Sequence, residues 1–336
     1  MPVGPDRPPE TAAPLISVIV VAYRRRGALA ECLDSCLRAR DAVPGDTEII
    51  VVDNGDLAPL VRERWPSVRL LEPGRNLGFA GAVQRALEVA RGEWVALVND
   101  DARLEPDALA RLLAAGERDA RIGSVAAQVR FDSDSSLINS AGINVDSLGI
   151  ATERLAGRPL VEAEHAQEVF GACGCVALYR AEMLRAIGGF EERFFAYLED
   201  VDVAWRARAA GWTAVYEPLA IAYHRGSASS GEGSDIKYFL VGRNRVRVLA
   251  RNATTWQLVR AFPAIVLYDL AYVAFVLVSD RTLAPLRGRV AGLREWSSTR
   301  NETRGRRRRI ELSSPLYGWL GALRQHAAYR RLGSSS

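Results

Sequence analysis

The chain predicts an α/β fold: an open, mostly parallel, doubly wound sheet flanked by helices, followed by a C-terminal helical extension. Three observations predict it. Short unbroken apolar, β-branched runs alternate with stretches of helical spacing; polar and acidic residues gather where those runs end; and after Asp235 the texture changes to long helices. Strands buried on both faces of a parallel sheet read as unbroken apolar runs, and ligands of such sheets sit at the strands' carboxyl ends.

The first strand is "LISVIVVAY" (Leu15 to Tyr23), and "GALAECLDSCLRA" follows with helical spacing. "EIIVVDNGD" (Glu48 to Asp56) repeats the buried strand and ends in polar residues; "VRLLEP" gives a third strand, and "NLGFAGAVQRALEVARG" a helix closed by Gly92. "EWVALVNDD" is a fourth strand, which delivers Asn99, Asp100 and Asp101 to the sheet's carboxyl edge. Pro106 then opens a helix with Glu105 and Asp107 at its positively polarised end. From about Arg130 to Phe170 the chain is richer in Ser, Asn, Gly and Glu and reads as loops and short strands over the sheet's edge. "GACGCVALYRAEMLRAIGGF" returns to strand then helix, with Gly188-Gly189 closing the helix. "FFAYLEDVDVAWRARAAGW" is a further helix, "TAVYEP" a strand, and "AYHRGSASSGEGS" a Gly/Ser-rich loop that could close over a ligand. The expected organisation is a disordered segment over 1–14, a catalytic α/β domain over 15–234 and a helical region over 235–336.

With 336 residues, 49% of them hydrophobic, the chain can bury a large core, which excludes disordered and fibrous classes. The formal charge of +4 is carried almost wholly by Arg, Lys237 being the single Lys. The cluster "TRGRRRRI" (Thr303 to Ile310) suits anionic lipid headgroups or plain solvation; no nucleic-acid motif accompanies it, and nucleic acid is not an expected partner. Cys32, Cys36, Cys173 and Cys175 match none of the common zinc spacings and read as buried free thiols of a reducing cytosol. The Pro-rich N-terminus has no apolar core of a signal peptide, so nothing in it suggests export.

"AFPAIVLYDLAYVAFVLVS" (Ala261 to Ser279) reaches the roughly 18 apolar residues of a membrane-spanning candidate, with Asp269 in its middle. Arg-rich flanks on both sides argue against a single crossing. The preferred reading is helices lying in an anionic membrane surface with the Arg cluster held by headgroups, and a buried helix or an oligomer seam is the alternative. The expected location is cytoplasmic, peripheral on the inner face of the cell membrane, with homo-oligomerisation left open.

Adjacent carboxylates in a loop repel unless a cation lies between them, so Asp100 and Asp101 suit Mg²⁺ or Mn²⁺ shared with phosphate oxygens. The acids Glu199, Asp200 and Asp202 open a helix after the aromatic run Phe194, Phe195 and Tyr197; Asp202 faces Arg206 four residues on, an ion pair that would fix the helix.

Six segments, "ISVIVVAYRRRGALAECLDSCL", "EIIVVDNGD", "NLGFAGAVQRAL", "ALVNDDA", "GGFEERFFAYLEDVDVAWRARAAGW" and "YHRGS", stand in the order seen in family 2 glycosyltransferases. The chain resembles those inverting, metal-dependent enzymes of the GT-A fold, and within them the rhamnosyltransferase and galactofuranosyltransferase-like members, over about Leu15 to Ser230. The resemblance implies a nucleoside-diphosphate-sugar donor, dTDP-rhamnose or a UDP-sugar, a lipid-linked or polysaccharide acceptor in cell-envelope glycan synthesis, and Mn²⁺ or Mg²⁺. It makes Ala22, Tyr23 and Asp53 the nucleoside pocket; in the alternative, Asp53 only caps its turn with Asn54. Arg75, Asn76, Gly78 and Gly81 become the segment approaching the nucleotide, the glycines permitting close backbone contact. Gln84 and Ala86 stand where the family often has Asn and Gly, a departure that bears on the donor more than on the fold.

Asn99-Asp100-Asp101 occupies the place of the family's Asp-x-Asp motif, with Asn in place of its first acid. Asp101 becomes the direct metal ligand, Asp100 the partner of the ribose or of a metal-bound water, and His224 a ligand of the metal or diphosphate. Asp200 becomes the general base for the acceptor hydroxyl, and Glu199 orients the acceptor. A dehydrogenase is excluded by the missing GxGxxG after the first strand and a P-loop enzyme by the missing GxxxxGK[ST]. The remaining rival is a catalytically inactive glycosyltransferase-like sugar-binding or scaffold subunit, against which the presence of both Asp101 and Asp200 argues.

Overall fold

The structure is a computed structural model and describes residues 13–225 and 234–314, together with 318, 321, 322, 324–326, 328 and 331. The expected disordered N-terminus and positions 226–233 of the Gly/Ser-rich loop lie outside the described residues, except for 13 and 14.

In chain order the N-terminal half comprises β1 (Ile16–Ala22), α1 (Arg26–Arg40), β2 (Thr47–Asp53), α2 (Ala58–Arg64), β3 (Arg69–Leu71), α3 (Gly78–Leu87), β4 (Trp94–Asn99), β5 (Ala102–Leu104), α4 (Ala108–Gly116) and β6 (Ile122–Phe131). There follow β7 (Ile138–Ser140), β8 (Ile143–Val145), β9 (Ala151–Glu153), β10 (Gln167–Val169), β11 (Val176–Arg180), α5 (Ala181–Ile187), α6 (Glu199–Ala209) and β12 (Thr213–His224). The C-terminal helices are α7 (Asp235–Asn252), α8 (Thr255–Asp280), α9 (Ala284–Arg294) and α10 (Trp296–Glu302).

The main sheet runs β10-β12-β6-β11-β4-β1-β2-β3, with β5 added on β12 and β7 on β6. β1 is buried at every position and pairs in parallel with β2 and β4, as its unbroken apolar run requires. β11 enters antiparallel between β4 and β6, and β10 and β5 lie antiparallel on β12. One apolar layer, including Leu29, Leu33 and Leu109, covers one face of the sheet; a second, including Val83, Met183 and Tyr216, covers the other. A third cluster packs β8, α6 and α7 around Phe194, Trp205 and Val248, with Trp205 edge-on to Phe170 at 6.1 Å.

Two sequence expectations shift. The helix after the third strand ends at Leu87 rather than at Gly92, whose amide instead donates to Ser17 Oγ (2.8 Å) and pins the chain beside β1. The stretch from Arg130 to Phe170 forms short strands as expected, but the β8–β9 hairpin packs onto α6 and α7 and so reaches beyond the sheet's edge. The Gly188 stop holds: it ends α5 at φ 83°, a left-handed geometry that costs glycine little.

Candidate active site

The parallel register sets Val21 opposite Asn99, so Tyr23 and Asp100 leave the sheet side by side and the Tyr23 amide donates to Asp100 Oδ2 (2.7 Å). Ala22, just before, is fully buried. After one more residue the chain turns back as β5, whose Ala102 pairs with His224 at the end of β12. That pairing places Asp101 Oδ1 3.1 Å from His224 Nε2, and His224 Nδ1 faces Asn139 Oδ1 at 3.2 Å. Two acceptors on one buried ring favour the imidazolium.

Electrostatics follow from this packing. Burial pushes Asp100 up to about 7, opposed by the Tyr23 amide and reinforced by Asp101. Burial would also raise Asp101, but His224 and Arg25 outweigh it and hold that carboxyl below its usual range. Burial works against charge on His224, while Cys175 and Asp101 raise it well above the ordinary histidine value.

The second acidic group arrives from α6. Asp200 Oδ2 accepts from the Gly174 amide (2.9 Å) and Oδ1 from the Val201 amide (2.8 Å). Burial raises both Glu199 and Asp200, and for Glu199 the adjacent Asp200 charge adds to it. The two amides favour ionisation of Asp200, which is partly exposed, whereas Glu199 is buried and its Oε2 has no hydrogen-bond partner. The pair therefore holds its charge on Asp200 and its proton on Glu199.

The tripeptide Cys173-Gly174-Cys175, entering β11, joins the two groups. Gly174 bonds Asp200; the Cys175 carbonyl accepts from the Asn99 amide (2.8 Å), two residues before Asp101, and the Cys175 thiol is electrostatically linked to His224. Cys173 Sγ donates to Glu153 Oε1 at the end of β9 (3.4 Å). Asp101 and Asp200, 99 residues apart in sequence, are thus both linked to the Gly174-Cys175 step, Asp200 directly and Asp101 through Asn99 two residues before it. Cys173 and Cys175, read from sequence as buried free thiols, are free, with Cys173 half-buried and Cys175 buried, and both stand beside these groups. Glu153, Asn139 and Arg25 also belong to the site, and nothing in their spacing signalled that.

The other expected residues line an adjoining segment. Asn54 Nδ2 donates to the Gly78 carbonyl (2.9 Å) and its Oδ1 accepts from the Leu77 amide (3.1 Å), latching Arg75–Gly81 to the end of β2. Asn76 Oδ1 accepts from the Gly78 amide (2.8 Å), and Arg75 is exposed. At φ 71°, Gly78 lies where a Cβ would meet the Phe195 carbonyl at 2.4 Å; a Cβ on Gly81 would meet Leu77 at 3.2 Å. The close approaches that these glycines allow are therefore to the protein's own chain. Asp53 caps: Oδ1 accepts from the Gly55 and Leu57 amides and Oδ2 from the Ala58 amide (2.7 Å), opening α2. Asp202 is fully buried and bonds Arg206 as expected (2.8 Å), but also Arg251 and Asn252 of α7 (2.8 Å each).

For a cation, Asp101 and His224 offer one carboxylate oxygen and one imidazole nitrogen. Among the described residues no group of three or more His, Cys, Asp or Glu side chains forms a cation site. The pair fits an open site completed by substrate or water oxygens, and does not form a closed structural cage.

A family model, "Glycosyl transferase family 2", matches residues 17–188, just over half of the chain. The chain belongs to glycosyl transferase family 2. A family relative, the N-acetylglucosaminyl-diphospho-decaprenol L-rhamnosyltransferase of Mycobacterium tuberculosis, is 31% identical over 243 residues, covering 65% of this chain and 78% of the relative. The O-antigen biosynthesis protein RfbC of Myxococcus xanthus is 25% identical over 236 residues, covering 66% of this chain and 18% of that protein. Among solved structures, a Pyrobaculum calidifontis mannosyltransferase in complex with GDP-Man and Mn²⁺ superposes with a TM-score of 0.51 at 20% identity, over 95% of this chain and 90% of that one. GalNAc-T7 with UDP, GalNAc and Mn²⁺ gives 0.56 at 13%, over 96% and 59%. This family 2 glycosyltransferase has the GT-A fold, with C-terminal helices appended.

Proposed function

We propose that the chain transfers a sugar with inversion from a nucleoside-diphosphate donor, dTDP-rhamnose or a UDP-sugar, to a lipid-linked or polysaccharide acceptor in cell-envelope glycan synthesis. The observation that carries this reading is that the consecutive residues Gly174 and Cys175 bond Asp200 and Asn99 respectively, Asn99 lying two residues before the Asp101 that pairs with His224. The M. tuberculosis rhamnosyltransferase supports a rhamnosyl donor and a diphospho-polyprenol acceptor.

Asp200 takes the proton of the acceptor hydroxyl as its oxygen attacks the anomeric carbon, while the nucleoside diphosphate leaves on the opposite side. Its basicity comes from burial and its orientation from the Gly174 and Val201 amides. Glu199, protonated beneath it, keeps the pair's single charge on Asp200. Asp101 and His224 would hold Mn²⁺ or Mg²⁺, the imidazole favouring Mn²⁺, and Asn139 would fix the ring by accepting from Nδ1. When bound, the cation supplies positive charge against the departing diphosphate. Tyr23 and the segment Arg75–Gly81 line the nucleoside side, with Asn99 and Asp100 beside the ribose; Ala22 is fully buried, and the Asp53 carboxylate is taken up by the amides that open α2.

The same reading puts the enzyme on an anionic membrane surface. α8 is long and apolar enough to cross a membrane, but its mid-point Asp269 is bound by Arg245 of α7 (2.8 Å) and Arg289 of α9 (2.9 Å). Arg245 also donates to the carbonyls of Leu148 and Gly149, in the turn of the β8–β9 hairpin. Leu258, Ile265, Asp269, Tyr272 and Val276 share the arc facing the protein, while Trp256, Val259, Phe262, Leu267, Leu270 and Val278 are exposed around the rest. A helix tied along one side to the catalytic fold suits in-plane insertion, not crossing.

Asp200→Asn tests the chemistry. It should keep Mn²⁺-dependent nucleotide binding, measured by calorimetry, and lower kcat by about 10²-fold or more. Unchanged turnover removes Asp200 from its role, and no donor turned over by the wild type favours a sugar-binding scaffold.

A further inference from the structure

The segment that delivers the two acids is left-handed at three non-glycine residues: Phe195 (φ 65°), Tyr197 (φ 72°) and Leu198 (φ 66°). Such residues persist only where the surroundings over-determine them. Among the surroundings here, one side chain reaches three of the segment's carbonyls. Asn244 of α7 is fully buried, and its Nδ2 donates to the carbonyls of Phe194 (2.9 Å), Ala196 (2.8 Å) and Tyr197 (2.7 Å). An amide has two hydrogens, so one is shared between two of these carbonyls. Arg243 fixes the orientation, its Nε donating to Asn244 Oδ1 (3.1 Å) and its Nη2 to the Phe194 carbonyl (2.8 Å). Arg247 donates to the carbonyl of Arg193, just upstream.

The held loop faces two ways. Forward, Leu198 is the residue from which α6 starts, with Glu199 and Asp200 as its first two positions. Backward, the Phe195 carbonyl accepts from the Ala80 amide (3.0 Å) at the first turn of α3, against the nucleotide-side segment at Gly78.

Resting on the proposed role of Asp200 as base, we propose that Asn244 is a positioning residue for catalysis: from outside the catalytic sheet it clamps the left-handed loop 195–198 and so sets Asp200 against the acceptor hydroxyl. It touches no reacting atom, and it acts through the loop. Loosening the clamp displaces the base while leaving the Asp101–His224 side in place.

Asn244→Asp keeps the shape and replaces the donating amide with a carboxylate facing three carbonyls. In the full-length protein, with dTDP-rhamnose and an N-acetylglucosaminyl-diphospho-polyprenol acceptor, N244D should lower kcat by about tenfold to 10²-fold, with the Mn²⁺ concentration for half-maximal activity within about twofold of wild type. Deuterium exchange should speed up at the amides of residues 196–201 and stay unchanged in β1 and β4. If N244D does not fold, N244S, which keeps one donor, carries the same test. An unaltered kcat, or unaltered exchange over 196–201, overturns the proposal. If the wild type turns over no donor, the assigned reaction fails instead, and the exchange measurement still decides whether Asn244 holds the loop.

Discussion

Glu153 reaches the acidic cluster from β9, 47 residues before Asp200. Ser140 Oγ donates to its Oε2 (2.5 Å) and Cys173 to its Oε1, while burial and then the Asp200 charge push it up to about 7, against the pull of Ser140, Cys173 and His224. An acid whose folded value lies above its ordinary 4.5 stabilises the fold while protonated. That contribution is full below about pH 4.5 and is lost as pH rises through about 7. Glu153→Gln should therefore melt close to wild type near pH 5 and above it near pH 8, by calorimetry across the range. Parallel loss of stability in the two proteins above about pH 7 would assign the effect to another group. The same residue marks a limit of sequence reading. Asp100, Asp101, Asp200 and the Asp202–Arg206 pair were legible because each lies at a strand end or in a first helical turn. Glu153, Cys173 and Cys175 carried no such mark, since the β8–β9 hairpin brings the first and the antiparallel insertion of β11 the other two. Asp53 shows the converse: its carboxylate was read toward a nucleobase, and its nearest partners are the amides that open α2.

Among elements, the strands were the most legible, because the central positions of β1, β2 and β4 must be apolar to be covered on both faces. The direction of β11 was not, since a five-residue apolar strand looks the same parallel or antiparallel. Nor was the left-handed loop before α6: Phe195, Tyr197 and Leu198 lack the glycines that announce such turns, and the backbone cost of about 1 to 3 kcal/mol each is met by contacts from α7. α8 was read as apolar from sequence, while its protein-facing arc depended on Arg245 and Arg289, neither of them a neighbour in the chain. That arc makes a prediction about its opposite side. Replacing Leu267 and Leu270 together by Gln should weaken sedimentation with phosphatidylglycerol vesicles several-fold and leave the melting temperature within about 2 °C, since both side chains are exposed. Binding equal to wild type would remove this face from membrane contact.

At the scale of the molecule, the sheet and the C-terminal helices divide the work. β1, β4, β5 and β12 converge to set Asp101 beside His224, as strand ends in an open sheet do. α6 brings Asp200 onto Gly174, beside the Cys175 that bonds Asn99, and α7 holds α6 through Asp202, Arg251 and Asn252 and the loop before it through Asn244. Two acidic groups are thereby kept apart electrostatically, as the proposed tasks of metal ligand and base require: Asp101 is stabilised as a carboxylate by His224 and Arg25, and Asp200 is made basic by burial. The most direct test is a crystal of the protein grown with Mn²⁺ and dTDP or UDP, measured for manganese anomalous scattering. The account predicts one peak bonded to Asp101 and His224 Nε2, with the diphosphate on its open side and Asp200 across the cleft bonded to no metal. A peak on Asp200, or none near Asp101, would contradict it.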